Sequence, residues 1–198
     1  MRAFIGISLP QPVRASLSLL QRQLAASRAD VRWVEEAHLH VTLRFLGDID
    51  ESQRRAVEEH LTAIASRIGP FPLSLTHVGA FPSFASPRVV WVGIGHGAER
   101  LAGMVEELEG HLTALGLSGE SRTFVAHVTL GRVRSASHVS ELARCATTTA
   151  WQPPPPWTAT SITLYQSALS SAGPRYTVLA DVPLGADASP RSTVDSPQ

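Results

Sequence analysis

His40-Val41-Thr42-Leu43 and His127-Val128-Thr129-Leu130 are one tetrapeptide read twice in the same chain, 87 positions apart. Each copy alternates polar with apolar residues, the period of a half-buried β-strand. In a strand the first and third residues share a face. Each copy therefore holds an imidazole and a hydroxyl outward together, while Val and Leu enter a core. A single four-residue pattern is a weak signal, and alone it is best read as a strand that exposes a histidine. Two identical copies in similar strand and helix surroundings point instead to two similar half-domains, each offering one His-Thr pair to a shared cleft.

Outward from the motifs the pattern predicts strands at Ala3–Leu9, Val31–Val34, His38–Leu46, Leu73–Val78, Val89–Ile94, Phe124–Val133, Thr158–Leu169 and Tyr176–Val182. Helical spacing of apolar residues predicts helices over Pro12–Ser27, with Val13, Leu17, Leu20 and Leu24 on one stripe, and over Glu51–Ile68 and Ala98–Leu115. A shorter helix is predicted at His138–Ala146, and the proline run between Trp151 and Trp157 reads as a stiff connector. The order describes an α+β fold, bilobal and duplicated. Two antiparallel-rich sheets with outer helices should surround a V-shaped central cleft, the halves joining near Leu73–Val92. Residues 1–184 read as one bilobal domain. Residues 185–198, rich in Ala, Ser, Pro and Asp, read as a disordered tail.

Composition narrows the chemistry. The 198 residues include 17 basic and 17 acidic ones, for a formal net charge of zero. That argues against a broad, sequence-independent nucleic-acid footprint, yet leaves room for one nucleotide or one RNA end. Every basic residue is Arg, so lysine Schiff-base and P-loop chemistry are excluded. The single cysteine, Cys145, forms no intrachain disulfide and no multi-cysteine zinc site, and reads as a buried inert thiol. With no signal-peptide pattern and no long apolar run, a cytoplasmic location is expected.

Two imidazoles across a cleft suit an in-line displacement at phosphorus. One takes a proton from the attacking oxygen and the other gives one to the leaving oxygen. Thr42 and Thr129 can donate to non-bridging phosphate oxygens. Arg132 can grip the phosphate, but strict alternation places it on the face opposite His127 and Thr129. It reaches the cleft only if the strand ends or bulges near Gly131. His38 and His40 form a His-x-His pair, a spacing that metals use, but no third ligand pattern accompanies it, so no metal and no cofactor is expected. His60, His77, His96, His111 and His138 read as surface or satisfied core residues. Trp33 and Trp91 read as core, and Phe84, in a Pro-flanked loop, as a cleft-rim aromatic.

The paired His-x-Thr motifs resemble those of the two-histidine phosphoesterase superfamily. Flanking segments resemble its branch of bacterial and archaeal RNA 2′,3′-cyclic phosphodiesterases, historically called 2′-5′ RNA ligases. These segments are Arg32-Trp33-Val34, Arg44-Phe45-Leu46-Gly47, Gly79-Ala80-Phe81-Pro82, Arg88-Val89-Val90-Trp91, Leu164-Tyr165-Gln166-Ser167 and Tyr176. The resemblance implies hydrolysis of a terminal 2′,3′-cyclic phosphate to a 2′-phosphomonoester, and the reverse 2′-5′ ligation, without metal or ATP. It implies His40 as the acid toward the departing 3′ oxygen, His127 as the base for water, and Thr42, Thr129 and Arg132 as phosphate ligands. His38 departs from the family pattern, which often has Asn or another polar residue there. The expected partners are RNA ends or nucleotides with a cyclic phosphate, no membrane, and a monomeric state. The alternatives are a non-catalytic nucleotide-binding module, or a phosphoesterase for another small cyclic or 2′-5′ substrate.

Overall fold

The computed structural model describes residues 1–117, 123–170 and 173–185. Its elements run β1 (Arg2–Ser8), α1 (Gln11–Ala25), β2 (Val31–Trp33), β3 (His40–Asp48), α2 (Glu51–Arg67), β4 (Phe71–Leu73), β5 (Leu75–Phe81), β6 (Val89–Ile94), α3 (Ala98–Ala114), β7 (His127–Val133), α4 (Val139–Thr148), β8 (Trp157–Ala159), β9 (Ser161–Ser170) and β10 (Gly173–Pro183). Of the tail expected over 185–198, residues 186–198 lie outside the described residues, while the Gly185 amide donates to the Ala65 carbonyl.

The two motif strands lie side by side and antiparallel, joined by one residue pair, Val41 opposite Val128. These are the same position of the two motifs. An antiparallel pair in which equivalent residues face each other marks a local two-fold axis. Strand order extends the symmetry. From the junction one lobe runs β3-β1-β9 and the other β7-β6-β5. Around that axis the chain adds one unmatched strand to each lobe. β10 lies on the outer edge of β9, and β2 lies beside β7 beyond the point where β3 leaves it.

Helices cover one face of each lobe, and two of them are exchanged. α1 follows β1 of the first lobe but is tied to the second: Gln21 Nε2 donates to the carbonyls of Val34 and Leu130, each at 2.8 Å. It packs there with α4. Its symmetry mate α3 follows β6 of the second lobe and packs with α2 on the first. The exchange knits both halves into one core, with Leu17, Leu20 and Leu24 of α1 and Leu101, Met104 and Leu108 of α3 all buried. α2 starts on a capping box, in which Asp50 accepts from the Gln53 backbone and Gln53 accepts from that of Asp50. Such caps are worth about 1 kcal/mol.

The α+β duplicated fold expected from the motifs is the one observed, with three local differences. β4 and β8 form a small antiparallel sheet of their own, Phe71 opposite Ala159 and Leu73 opposite Trp157. Pro72 lacks an amide hydrogen and hides the strand in the sequence, but it is tolerated here because the strand needs only one bonded edge. His38 is not on β3. It closes a 3-10 turn, Glu36–His38, that precedes the strand, so the expected His-x-His face of a single strand does not exist. Trp91 is not a core residue. It lies opposite Thr129, on the face that carries the motif polar groups.

Candidate active site

Burial along β3 and β7 follows the motif. His40, Thr42, His127 and Thr129 are half-buried, while Val41, Leu43, Val128 and Leu130 are buried. The helices take the apolar face, and the His-Thr face of each lobe is left open beside the Val41–Val128 junction. Both pairs therefore present to one cleft.

Each imidazole is held through Nδ1 by a main-chain carbonyl two residues earlier. His40 Nδ1 lies 2.7 Å from the His38 carbonyl, and His127 Nδ1 lies 2.6 Å from that of Val125. A carbonyl only accepts, so Nδ1 carries the proton in both rings and Nε2 presents a lone pair to the cleft. The Thr42 hydroxyl, 2.9 Å from His40 Nε2, donates to it.

Aromatic rings pack against both imidazoles. Phe4 lies 4.8 Å from His40 between ring centroids, and Tyr176 meets the same imidazole edge-on at 5.5 Å. Tyr165 stacks on Phe4 at 4.9 Å, and Tyr176 also reaches His38 at 4.9 Å. On the other lobe Phe81 meets His127 edge-on at 5.1 Å, and Trp91 lies 6.0 Å from it. Phe81, rather than the expected Phe84, is the loop-end aromatic that reaches the site. None of Phe4, Phe81, Tyr165 and Tyr176 was singled out for the site from the motif alone. A signal was present: Phe4 and Trp91 each stand 36 residues before a motif histidine. Gly6 leaves room for this packing, since a Cβ there would lie 2.7 Å from the Val41 carbonyl oxygen and 3.4 Å from His40 Cδ2.

Enclosure depresses both histidines. Burial pushes His40 down to about 4, and the neighbouring His38 and His127 imidazoles push the same way, against the pull of the His38 carbonyl. Burial also lowers His127, aided by the positive charge of Arg132 and opposed by its bond to the Val125 carbonyl. Both rings are thus neutral near pH 7.

Arg132 reaches the cleft face through a bulge. β6 pairs Val90 with Gly131 and Trp91 with Thr129, so Leu130 is an extra residue and the alternation shifts by one beyond it. Gly131 turns inward and Arg132 outward, exposed and close enough for its charge to be felt by both His127 and Tyr176. The first motif bulges at the same place. β1 pairs Ile5 with Arg44 and Gly6 with Thr42, leaving Leu43 extra. There the bulge turns Arg44 inward, where its Nε donates to Glu109 of α3, and turns Phe45 outward.

A phosphoesterase model, "LigT like Phosphoesterase", matches the chain twice, over residues 7–91 and 92–176. The chain belongs to the LigT-like phosphoesterase family. Each of the two matched segments contains one His-x-Thr strand. Among curated relatives, an RNA 2′,3′-cyclic phosphodiesterase of Aeropyrum pernix is 36% identical over 166 residues, covering 84% of this chain and 93% of the relative. One of Aquifex aeolicus is 31% identical, covering 93% of this chain and 98% of the relative. Among solved structures, a Thermus thermophilus protein superposes with a TM-score of 0.78 at 27% identity, covering 94% of this chain and all of that one. E. coli LigT complexed with 3′-AMP gives 0.71 at 27% identity, covering 92% and 97%. LigT crystals have also been solved with NADP+ and with ATP.

Proposed function

We propose that this protein hydrolyses RNA ending in a 2′,3′-cyclic phosphate to a 2′-phosphomonoester, by acid–base catalysis between His40 and His127 and without metal. The observation that carries the reading is the pair of imidazoles on antiparallel motif strands about one two-fold axis. Each is fixed through Nδ1, which leaves Nε2 as the proton-transfer atom. Family membership and the activity named for the curated relatives support the substrate. The 3′-AMP, NADP+ and ATP complexes of E. coli LigT support a nucleotide in this cleft.

In this mechanism His127 Nε2 accepts a proton from water as the water oxygen bonds to phosphorus. The bond from phosphorus to the 3′ oxygen breaks, and that oxygen takes the proton carried by His40 Nε2. The product is a 2′-phosphomonoester with a free 3′ hydroxyl, and the two histidines exchange their protonation states. His40 must therefore be charged when substrate is bound. The anionic cyclic phosphate supplies the field that raises it from its depressed value in the empty cleft. Thr42, Thr129 and the outward-turned Arg132 donate to the non-bridging oxygens. With a 5′ hydroxyl in place of water as the attacking group, the same step on the cyclic phosphate joins two ends through a 2′-5′ linkage, the 3′ oxygen again leaving with the proton from His40. Both histidines belong to one chain, which supports action as a monomer. Among the described residues no helix is long and apolar enough to cross a membrane. The proposed cytoplasmic location follows from the RNA substrate proposed here.

The test is turnover of an oligonucleotide with a terminal 2′,3′-cyclic phosphate in excess EDTA, with the product resolved as 2′- or 3′-phosphate. A 2′-phosphate formed at an EDTA-insensitive rate supports the proposal. A 3′-phosphate, or activity abolished by chelator and restored by metal, overturns it.

A further inference from the structure

Arg32 and Arg132 are direct partners across the antiparallel strands β2 and β7. Their neighbours fix which way they point. Val31 and Trp33 pack against the core, and a Cβ added to Gly131 would meet Val31 Cγ1 at 2.6 Å and Trp33 Cε3 at 3.0 Å. Both arginines therefore point away from the core, to the open face shared with His127, and both are exposed.

Residues directly opposed in an antiparallel pair have Cβ atoms about 4.5–5.5 Å apart, and like charges so placed destabilise the sheet. Several other arginines sit beside carboxylates: Arg44 beside Glu109, Arg54 beside Glu51 and Glu58, Arg67 beside Glu107 and Arg134 beside Asp30. Among the described residues neither Arg32 nor Arg132 has a carboxylate partner. Two adjacent guanidiniums held without counter-charge, at the mouth of a cleft that takes a phosphate, are arranged for more than one anionic group. Arg132 stands on the motif strand, where its charge is felt by His127. Arg32 stands one strand further out, on the unmatched β2.

We propose that Arg32 forms a second phosphate subsite, which holds the phosphodiester on the 5′ side of the terminal nucleotide while Arg132 stays with the cyclic phosphate. This rests on the hydrolysis of RNA ends proposed above and sharpens its substrate: a dinucleotide or longer RNA, rather than a lone cyclic nucleotide. With a net charge of zero and one added guanidinium, the gain with RNA length ends at the second nucleotide.

The experiment compares kcat/KM for a mononucleoside 2′,3′-cyclic phosphate, a dinucleotide and a tetranucleotide with the same end, in wild type, Arg32→Ala and Arg32→Lys. Wild type should favour the dinucleotide over the mononucleotide by at least about tenfold, with little further gain for the tetranucleotide. Arg32→Ala should lose most of that ratio, and Arg32→Lys should keep part of it. The salt dependence of dinucleotide turnover should flatten by about 0.7 in log–log slope, the loss of one single-strand phosphate contact. The Tm of Arg32→Ala should not fall, since a repulsion is removed. An unchanged ratio, an equal loss on all three substrates, or a lowered Tm with proportionate loss of activity overturns the subsite. Titration of a dinucleotide carrying a terminal 2′-phosphate reads the subsite without turnover. Should wild type cleave none of the substrates, the reaction assignment fails, while equal product affinity in wild type and Arg32→Ala sinks the subsite itself.

Discussion

β3 and β7 carry the same tetrapeptide, the same Nδ1-to-carbonyl tether and the same bulge at the motif leucine, yet the residue that each bulge turns outward differs. In β3 it is Phe45, an exposed ring near Phe4; in β7 it is Arg132. The inward residue differs as well. Arg44 reaches Glu109, whereas Gly131 leaves its space to Val31 and Trp33. Duplication therefore provides two near-equivalent proton-transfer groups, and divergence at one position in each strand gives the cleft a direction. Both walls carry aromatic rings, but the bulge adds a cation, Arg132, to only one of them. The unmatched strands reinforce the division: β10 brings Tyr176 against His40, and β2 brings Arg32 beside Arg132.

If the two histidines divide acid and base between them, removing either ends the cycle. His40→Ala and His127→Ala should each lower kcat by about 10²–10⁴-fold, and the double variant should lose little more, because the pair acts as a unit. Steady-state rates of the three variants check this. Additive losses would show that the histidines act independently and would break the comparison at its root.

The next effect is on proton affinity. His40 stays neutral in the empty cleft down to about pH 4, against its ordinary 6.5. The unfolded chain takes up a proton near 6.5 that the folded chain refuses until about 4. Stability therefore falls as pH is lowered through that window, by up to ~3 kcal/mol from this one group. His40→Gln should flatten the loss, as measured by urea unfolding at about pH 7 and about pH 4.5. The same depression places the working form of the free enzyme, one imidazole charged and one neutral, on the acid side. The bell in kcat/KM should centre below about pH 6.5, and the bell in kcat, which reports the phosphate-bound complex, should lie higher. Arg132→Ala should then cost about 10–100-fold in kcat/KM, the worth of a charge-assisted phosphate contact. It should also raise His127, since a repelling cation is gone, and an NMR titration of the free variant reads that shift directly.

Much of this was legible in the chain because it depends on period and repetition. Val13, Leu17, Leu20 and Leu24 announced α1, and the twin motifs announced the lobes, because burying an apolar stripe is a local instruction. Which helix covers which lobe was not legible. α1 and α3 cross to the opposite half, and nothing in an amphipathic stripe names the sheet it will meet. The site was legible at the histidines and threonines from the motif itself; Tyr176 and Arg32 were marked only by the family resemblance of their segments, because they arrive on the two strands that the repeat does not contain. Arg44 and Arg132 show the limit most sharply. Plain alternation puts Arg44 outward and Arg132 inward, and a one-residue bulge reverses both.

The bulge itself offers the finest test of the comparison. At the position where β3 carries a buried Arg44, β7 tolerates no side chain at all. A Cβ at 131 would meet Val31 Cγ1 at 2.6 Å, Trp33 Cε3 at 3.0 Å and the Arg32 carbonyl oxygen at 3.1 Å. The valine methyl and the indole edge belong to stiff side chains packed against the core, so neither swings clear easily and β2 must move instead. Gly131→Ala should therefore cost about 1–2 kcal/mol by overpacking, read from the denaturation midpoint. Because β2 and the outward turn of Arg132 share this one contact, the same change should weaken phosphate binding without altering the titration of His40 across the cleft. A variant that lost stability but kept its KM would show that Arg132 is aimed by the bulge in β7 alone, with β2 a bystander.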